Sequence, residues 1–105
     1  MSDTEKLAEI VNRTKLTVPG LHKLVLFGSR ARGGAQPESD YDLIAIVDSV
    51  PARGPRTVAW RLALMGLRSS IDLLMMTQSE WNQSRDFVGS AVAAAAREGR
   101  IVYER

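Results

Sequence analysis

The sequence LFGSRARGGAQPESDYDLIAIV, residues 26–47, joins two short apolar runs through a polar segment. The first run, LHKLVLFG (residues 21–28), ends at a glycine and is typical of a buried strand. The second, DYDLIAIVDS (residues 40–49), is rich in branched apolar residues and predicts another strand. The segment between them leaves room for at most one helical turn, because it contains three breakers: Gly33, Gly34 and Pro37.

Two aspartates stand one residue apart at the start of the second predicted strand. Because strand side chains alternate between faces, Asp40 and Asp42 should project together, away from Tyr41 and Leu43. Carboxylates this close repel each other unless a cation lies between them. Magnesium suits such a site, since it binds carboxylate oxygens together with waters and phosphates. The pair therefore predicts a divalent cation site.

A third aspartate extends this site. Asp72 is the only carboxylate in IDLLMMT (residues 71–77), which predicts a third strand. If that strand neighbours the second one, Asp72 faces Asp40 and Asp42. Three carboxylates on adjacent strands can hold two metal ions, which activate an attacking hydroxyl and stabilise a leaving phosphate.

The turn after the first strand predicts an anion site. A strand that ends at Gly28 and passes into a helical turn points free backbone N–H groups at a ligand. Ser29 adds a hydroxyl donor, and Arg30 or Arg32 can reach a phosphate. Each feature alone is common in structural turns, and the two arginines alone more often face solvent. The combination of a strand, Gly-Ser, Asp-x-Asp and one later aspartate favours a nucleotide site.

Helices are predicted around these strands, in the order α-β-(α)-β-α-β-α-(β), which indicates a sheet with helices packed on it. The first helix covers residues 2–16, and RTVAWRLALMGLRSS (56–70) forms another. A helical region runs from Thr77 to about Glu98, with a break near residues 82–86, and RIVYER adds an edge strand. In the helix at 56–70, Val58, Leu62 and Met65 share one face, with Trp60, Leu64 and Leu67 beside it, and Trp60 and Met65 are predicted core residues. The predicted buried face of the later helical region consists of Phe87, Val88, Ala91, Val92 and Ala95. Gly99 suits the left-handed position after the last helix.

Composition narrows the classes of protein. The chain of 105 residues is long enough for one domain. It contains no cysteine, which excludes disulfides and thiolate metal sites and fits a cytoplasmic protein. No apolar run approaches the roughly 20 residues of a membrane span. A formal net charge of +2 is a weak indication of anionic ligands and does not favour duplex DNA binding.

The residues LFGSRARGGAQPESDYDLIAIV resemble the signature of the DNA polymerase β-like nucleotidyltransferases, hG[GS] followed by Dh[DE]h. The short chain and "SDYDL" resemble the minimal nucleotidyltransferases (MNT), the antitoxins of HEPN/MNT toxin–antitoxin pairs. The segment "IDLLMM" resembles the family's strand that carries the third carboxylate. The segment "AREGRIVYER" resembles the usual C-terminal segment of the family. The resemblance implies an α/β (α+β) fold with a small mixed β-sheet flanked by helices, and a single MNT domain over residues 1–105.

The resemblance also implies a site and a reaction. Gly28 and Ser29 would bind the triphosphate, with Arg30 as a further nucleotide contact. Asp40 and Asp42 would ligate two Mg²⁺ ions, and Asp72 would help to hold the catalytic ion and to deprotonate the acceptor. Members of this kind transfer AMP from ATP to a tyrosine of a HEPN-type RNase toxin.

Two alternatives remain open at this point. The chain can be an antitoxin that neutralises its toxin by binding, with an idle nucleotide site. It can also be a nucleotidyltransferase that acts on a small molecule, although such enzymes usually carry an additional helical domain.

Overall fold

The computed structural model describes residues 2–32, 40–50 and 53–105, without the side chains of Ser29 and Arg32. Helices and strands alternate along the chain, as the sequence predicts. The elements are α1 (Asp3–Thr17), β1 (Leu21–Phe27), α2 (Ser29–Arg32), β2 (Tyr41–Val47), α3 (Arg53–Ala63), β3 (Ile71–Thr77), α4 (Gln78–Ser84), α5 (Ala91–Glu98) and β4 (Arg100–Glu104). The predicted loop around Gly33, Gly34 and Pro37 lies outside the described residues.

The strands form one mixed sheet in the order β3-β2-β1-β4. β1 is antiparallel to both β2 and β4, whereas β2 and β3 are parallel. The end of β1 therefore lies at the same edge of the sheet as the starts of β2 and β3. This arrangement confirms the α/β fold class with a small mixed sheet flanked by helices, and it confirms β4 as an edge strand.

Helices cover both faces of the sheet. On one face, Ile10 of α1 and Trp60 of α3 pack against strand residues such as Leu24 and Leu43. On the other face, Trp81 of α4 and Val92 of α5 pack against Ile44 and its neighbours. No helix in the described part of the chain is long and apolar enough to cross a membrane.

Side-chain caps fix where two helices begin. The Ser2 hydroxyl accepts a hydrogen bond from the Glu5 N–H (3.1 Å) and thereby starts α1. The Thr77 hydroxyl accepts one from the Glu80 N–H (3.1 Å) at the start of α4. In both caps the glutamate side chain accepts from the backbone N–H of the capping residue, which completes a capping box.

The two adjacent apolar stripes predicted for the region of α3 differ in burial. Val58, Leu62 and Met65 are exposed, so the prediction of Met65 as a core residue is wrong. Trp60, Leu64 and Leu67 are buried, which confirms Trp60 as a core residue. The helix also begins at Arg53 and ends at Ala63, which is earlier at both ends than predicted. The chain then turns through Gly66, whose φ of +90° does not continue a helix.

The last helical region also differs from its prediction. It is divided into α4 and α5, with the break at residues 85–90, slightly later than expected. Phe87, Val88 and Ala91 are exposed, while Val92 and Ala95 are buried as predicted.

Gly99 is not left-handed, because its φ of −72° and ψ of 162° are extended. A side chain there would meet the Ala95 carbonyl oxygen and lie 2.9 Å from a Val25 methyl carbon, so glycine permits the close approach of α5 to β1.

Candidate active site

Asp42 and Asp72 lie side by side where β2 and β3 begin. The two residues are Cα partners in the parallel pairing of these strands, so their Cα atoms are about 5 Å apart and their side chains share one face of the sheet. The sequence prediction depended on β3 being the neighbour of β2, and the strand order confirms that condition.

Asp40 directly precedes β2, two residues before Asp42. Its side chain is exposed, as is that of Asp72, whereas Asp42 is half-buried. Among the described residues, no three acidic, histidine or cysteine side chains are close enough to hold a metal ion as they stand. The structure thus places Asp42 and Asp72 together on one face of the sheet, whereas Asp40 lies just before the first residue of β2.

Gly28, which directly follows β1, lies against Asp42 of this pair. Phe27, the last residue of β1, pairs with Asp42, and Gly28 follows with φ of +75°. A Cβ atom at position 28 would collide with Asp42 Oδ2 and lie 3.3 Å from Asp42 Cγ. The absence of a side chain at Gly28 therefore opens the space that the Asp42 carboxylate occupies.

The chain turns into α2 immediately after Gly28. The Ala31 N–H donates a hydrogen bond to the Gly28 carbonyl (3.1 Å), which closes the first turn. This is the strand, glycine and helical turn that the sequence predicts. The hydroxyl of Ser29 and the guanidinium of Arg32 lie outside the described side chains, so their predicted contacts with phosphate stay predictions.

Arg30 points to the opposite face of the sheet. Its guanidinium carbon lies 4.0 Å from the centroid of the Tyr41 ring, and Tyr41 faces away from Asp42 because strand side chains alternate. Arg30 Nη1 is also 3.3 Å from Asp3 Oδ2, at the first turn of α1. The predicted nucleotide contact of Arg30 thus stays a prediction, and the structure places this side chain in a different contact.

Tyr41 is almost completely buried beneath Arg30. Burial raises the pKa of its hydroxyl, and the neighbouring Arg30 charge opposes that shift. The nearby Asp3 carboxylate raises this pKa further, although no described group meets the geometry of a full hydrogen bond with the hydroxyl. Strand alternation predicts that Tyr41 faces away from the aspartates, but no sequence pattern indicates its contact with Arg30. Asp3 is likewise not indicated, because it is distant in sequence from Arg30.

A family model described as polymerase beta nucleotidyltransferase matches residues 5–105. The chain belongs to this family. It is accordingly a nucleotidyltransferase by class, and the resemblance drawn from Gly28-Ser29 and Asp40-x-Asp42 is confirmed. A search of curated proteins finds no match.

Solved structures share the nucleotidyltransferase fold at low sequence identity. A chain of a toxin–antitoxin crystal structure with AMP-PNP has a TM-score of 0.69 and 19% identity, over 94% of this chain and 73% of that one. A chain from a complex of a tri-AMPylated HEPN toxin with an MNT antitoxin from Shewanella oneidensis has a TM-score of 0.69 and 14% identity, over 99% of this chain and 74% of that one. A nucleotidyltransferase from Sulfolobus solfataricus, described as putative, has a TM-score of 0.64 and 20% identity, over 95% of this chain and 79% of that one. These similarities establish the fold of the minimal nucleotidyltransferases.

Proposed function

We propose that residues 1–105 form a single minimal nucleotidyltransferase domain that transfers AMP from ATP to a hydroxyl group. The acceptor is a tyrosine of a partner HEPN-type RNase toxin in the cytoplasm, and the modification silences the toxin. The observation that carries this proposal is the pairing of Asp42 with Asp72 on one face of the sheet, directly beside Gly28. The similar structures with AMP-PNP and with an AMPylated toxin support the choice of nucleotide and acceptor.

Magnesium fits the donor groups at this edge of the sheet. Asp40, Asp42 and Asp72 offer only carboxylate oxygens, the ligands that Mg²⁺ prefers. Asp42 and Asp72 are fixed by strand pairing, whereas Asp40 precedes the strand and can adjust to the ion. Bound Mg²⁺ would neutralise the phosphates and increase the electrophilicity of the reacting phosphorus.

The protein groups would bind and orient the two reactants. Backbone N–H groups at the turn after Gly28, together with the Ser29 hydroxyl, would hold the β- and γ-phosphates, and Asp40 and Asp42 would hold Mg²⁺. The acceptor hydroxyl oxygen attacks the α-phosphorus, and the bond to the pyrophosphate oxygen breaks. Asp72 would take part in removing the proton of the attacking hydroxyl.

A double substitution tests whether the site is used or idle. We expect Asp40→Asn with Asp42→Asn to abolish AMP transfer to the toxin and, with it, the neutralisation of toxicity. Asp48→Asn is the matched control, since Asp48 follows the other end of β2 and is exposed. Loss of transfer with intact neutralisation would contradict the enzymatic account and favour an antitoxin that acts by binding alone.

A further inference from the structure

The two halves of the proposed site are joined by side chains on the reverse face of the sheet. Arg30 belongs to the turn that follows Gly28, and Tyr41 stands between Asp40 and Asp42. The Arg30 guanidinium carbon lies over the Tyr41 ring, 4.0 Å from its centroid, within the range of a cation–π contact. Its side chain is only 5% exposed. A movement of either half relative to the other would therefore break a buried contact.

Asp3 stabilises the buried charge of Arg30. Its carboxylate oxygen lies 3.3 Å from Arg30 Nη1, and the Asp3 side chain itself is 72% exposed. A buried guanidinium is costly unless it is paired, and here a carboxylate and an aromatic face together offset that cost. The contact links three elements, α1, α2 and β2, and Asp3, Arg30 and Tyr41 line one cleft of about 250 Å³.

We propose that Asp3, Arg30 and Tyr41, which we call the Arg30 clamp, position the phosphate-binding turn against the aspartate-bearing start of β2. These three are positioning residues, because their mutual contacts lie on the face of the sheet opposite Asp42 and Asp72. The assignment rests on the proposed nucleotide site.

The local structure explains why such a clamp is needed. α2 has only four residues, and a single helical turn is not stable by itself. Tyr41 is adjacent in sequence to both Asp40 and Asp42, so a displacement of its backbone displaces both carboxylates. Errors of about 1 Å at a catalytic site can cost a factor of 100 in rate. The contact of the Tyr41 ring with the Arg30 guanidinium limits the displacement of the backbone that carries Asp40 and Asp42.

Binding of Mg²⁺-ATP to the chain alone tests the clamp by isothermal titration calorimetry. We expect Tyr41→Leu to weaken binding by about tenfold, because the cation–π contact is lost. Tyr41→Phe keeps the ring over which Arg30 lies and removes only the hydroxyl near the Asp3 carboxylate, so it should bind within about twofold of wild type. Tyr103→Leu is the matched control, since Lys15 lies 5.0 Å from the Tyr103 ring and forms a second cation–aromatic contact with α1.

Amide hydrogen exchange gives a second readout that needs no nucleotide. In the wild type the Ala31 and Tyr41 N–H groups donate to the Gly28 and Ser70 carbonyls, and Tyr41→Leu should accelerate exchange at both amides, whereas Tyr103→Leu should leave them protected. Unchanged protection in Tyr41→Leu, or an equal effect of Tyr103→Leu on both readouts, would overturn the clamp. If wild-type protein binds no Mg²⁺-ATP, the proposed function fails, and hydrogen exchange alone then decides whether the two halves are coupled.

Discussion

At the scale of single residues, the site depends on Gly28 for two separate reasons. Its φ of +75° lies in the left-handed region that other residues rarely adopt. In addition, a Cβ atom there would collide with the Asp42 carboxylate. The second reason is invisible in the sequence, because it arises only when β1 and β2 pair in the observed register.

Gly28→Ala separates these two effects when it is compared with Gly89→Ala. Gly89 has a similar φ of +86°, but a Cβ there has nothing within 4 Å. Both substitutions should lower the free energy of unfolding by about 1–3 kcal/mol from backbone strain, measured by urea denaturation. Only Gly28→Ala should also abolish Mg²⁺-ATP binding, because it displaces Asp42. Normal binding by folded Gly28→Ala would show that the position of Asp42 is not critical.

At the scale of elements, the strands were easier to predict than the faces of the helices. The short apolar runs before Gly28 and after Asp42 are too short for buried helices and are typical of buried strands in a small domain. In α3 the two adjacent stripes are both apolar, so periodicity alone cannot choose between them. The choice depends on a tertiary contact, since the buried Trp60 N–H donates to the Thr14 hydroxyl (2.9 Å), which donates to the Ile10 carbonyl (2.7 Å).

Two leucines test which stripe of this region forms the core. Leu64 is 4% exposed, and Leu64→Ala should lower the free energy of unfolding by about 2–5 kcal/mol through the cavity that it leaves. Leu62 is 60% exposed, and Leu62→Ala should change the free energy by less than about 0.5 kcal/mol. Urea denaturation measures both values, and equal losses would mean that the two stripes are buried alike.

The position of Arg30 could not be predicted for a related reason. Its guanidinium contacts Asp3 and Tyr41, which are far from it in sequence and show no shared periodicity. A sequence pattern could therefore place Arg30 near the phosphate turn but could not say which face of the sheet its side chain would reach.

At the scale of the whole molecule, the mixed sheet assembles the site at one edge. β1 is antiparallel to β2, and β3 is parallel to β2. The turn after β1 therefore lies beside the starts of both β2 and β3. Asp42 and Asp72 consequently stand as directly opposed like charges, which destabilise a strand pair. The metal-free fold should thus be less stable than one with a neutral residue at position 72, the exposed member of the pair.

Asp72→Asn tests this cost. We expect the substitution to raise the melting temperature of the metal-free protein modestly, by relieving about 0.2–1 kcal/mol of repulsion. High salt should shrink the difference from wild type, because it screens the two charges. Mg²⁺-ATP should raise the melting temperature of wild type more than that of Asp72→Asn, since stabilisation by a ligand follows its affinity. Equal shifts in differential scanning calorimetry would count against Asp72 as a metal ligand.

Transfer of label from ATP tests the central claim most directly. The chain, Mg²⁺ and the HEPN-type partner are incubated in parallel with ATP labelled at the α-phosphate and with ATP labelled at the γ-phosphate. Attack at the α-phosphorus predicts label on the partner from α-labelled ATP and none from γ-labelled ATP. Label from the γ-position, or no label from either, would contradict nucleotidyl transfer by this chain.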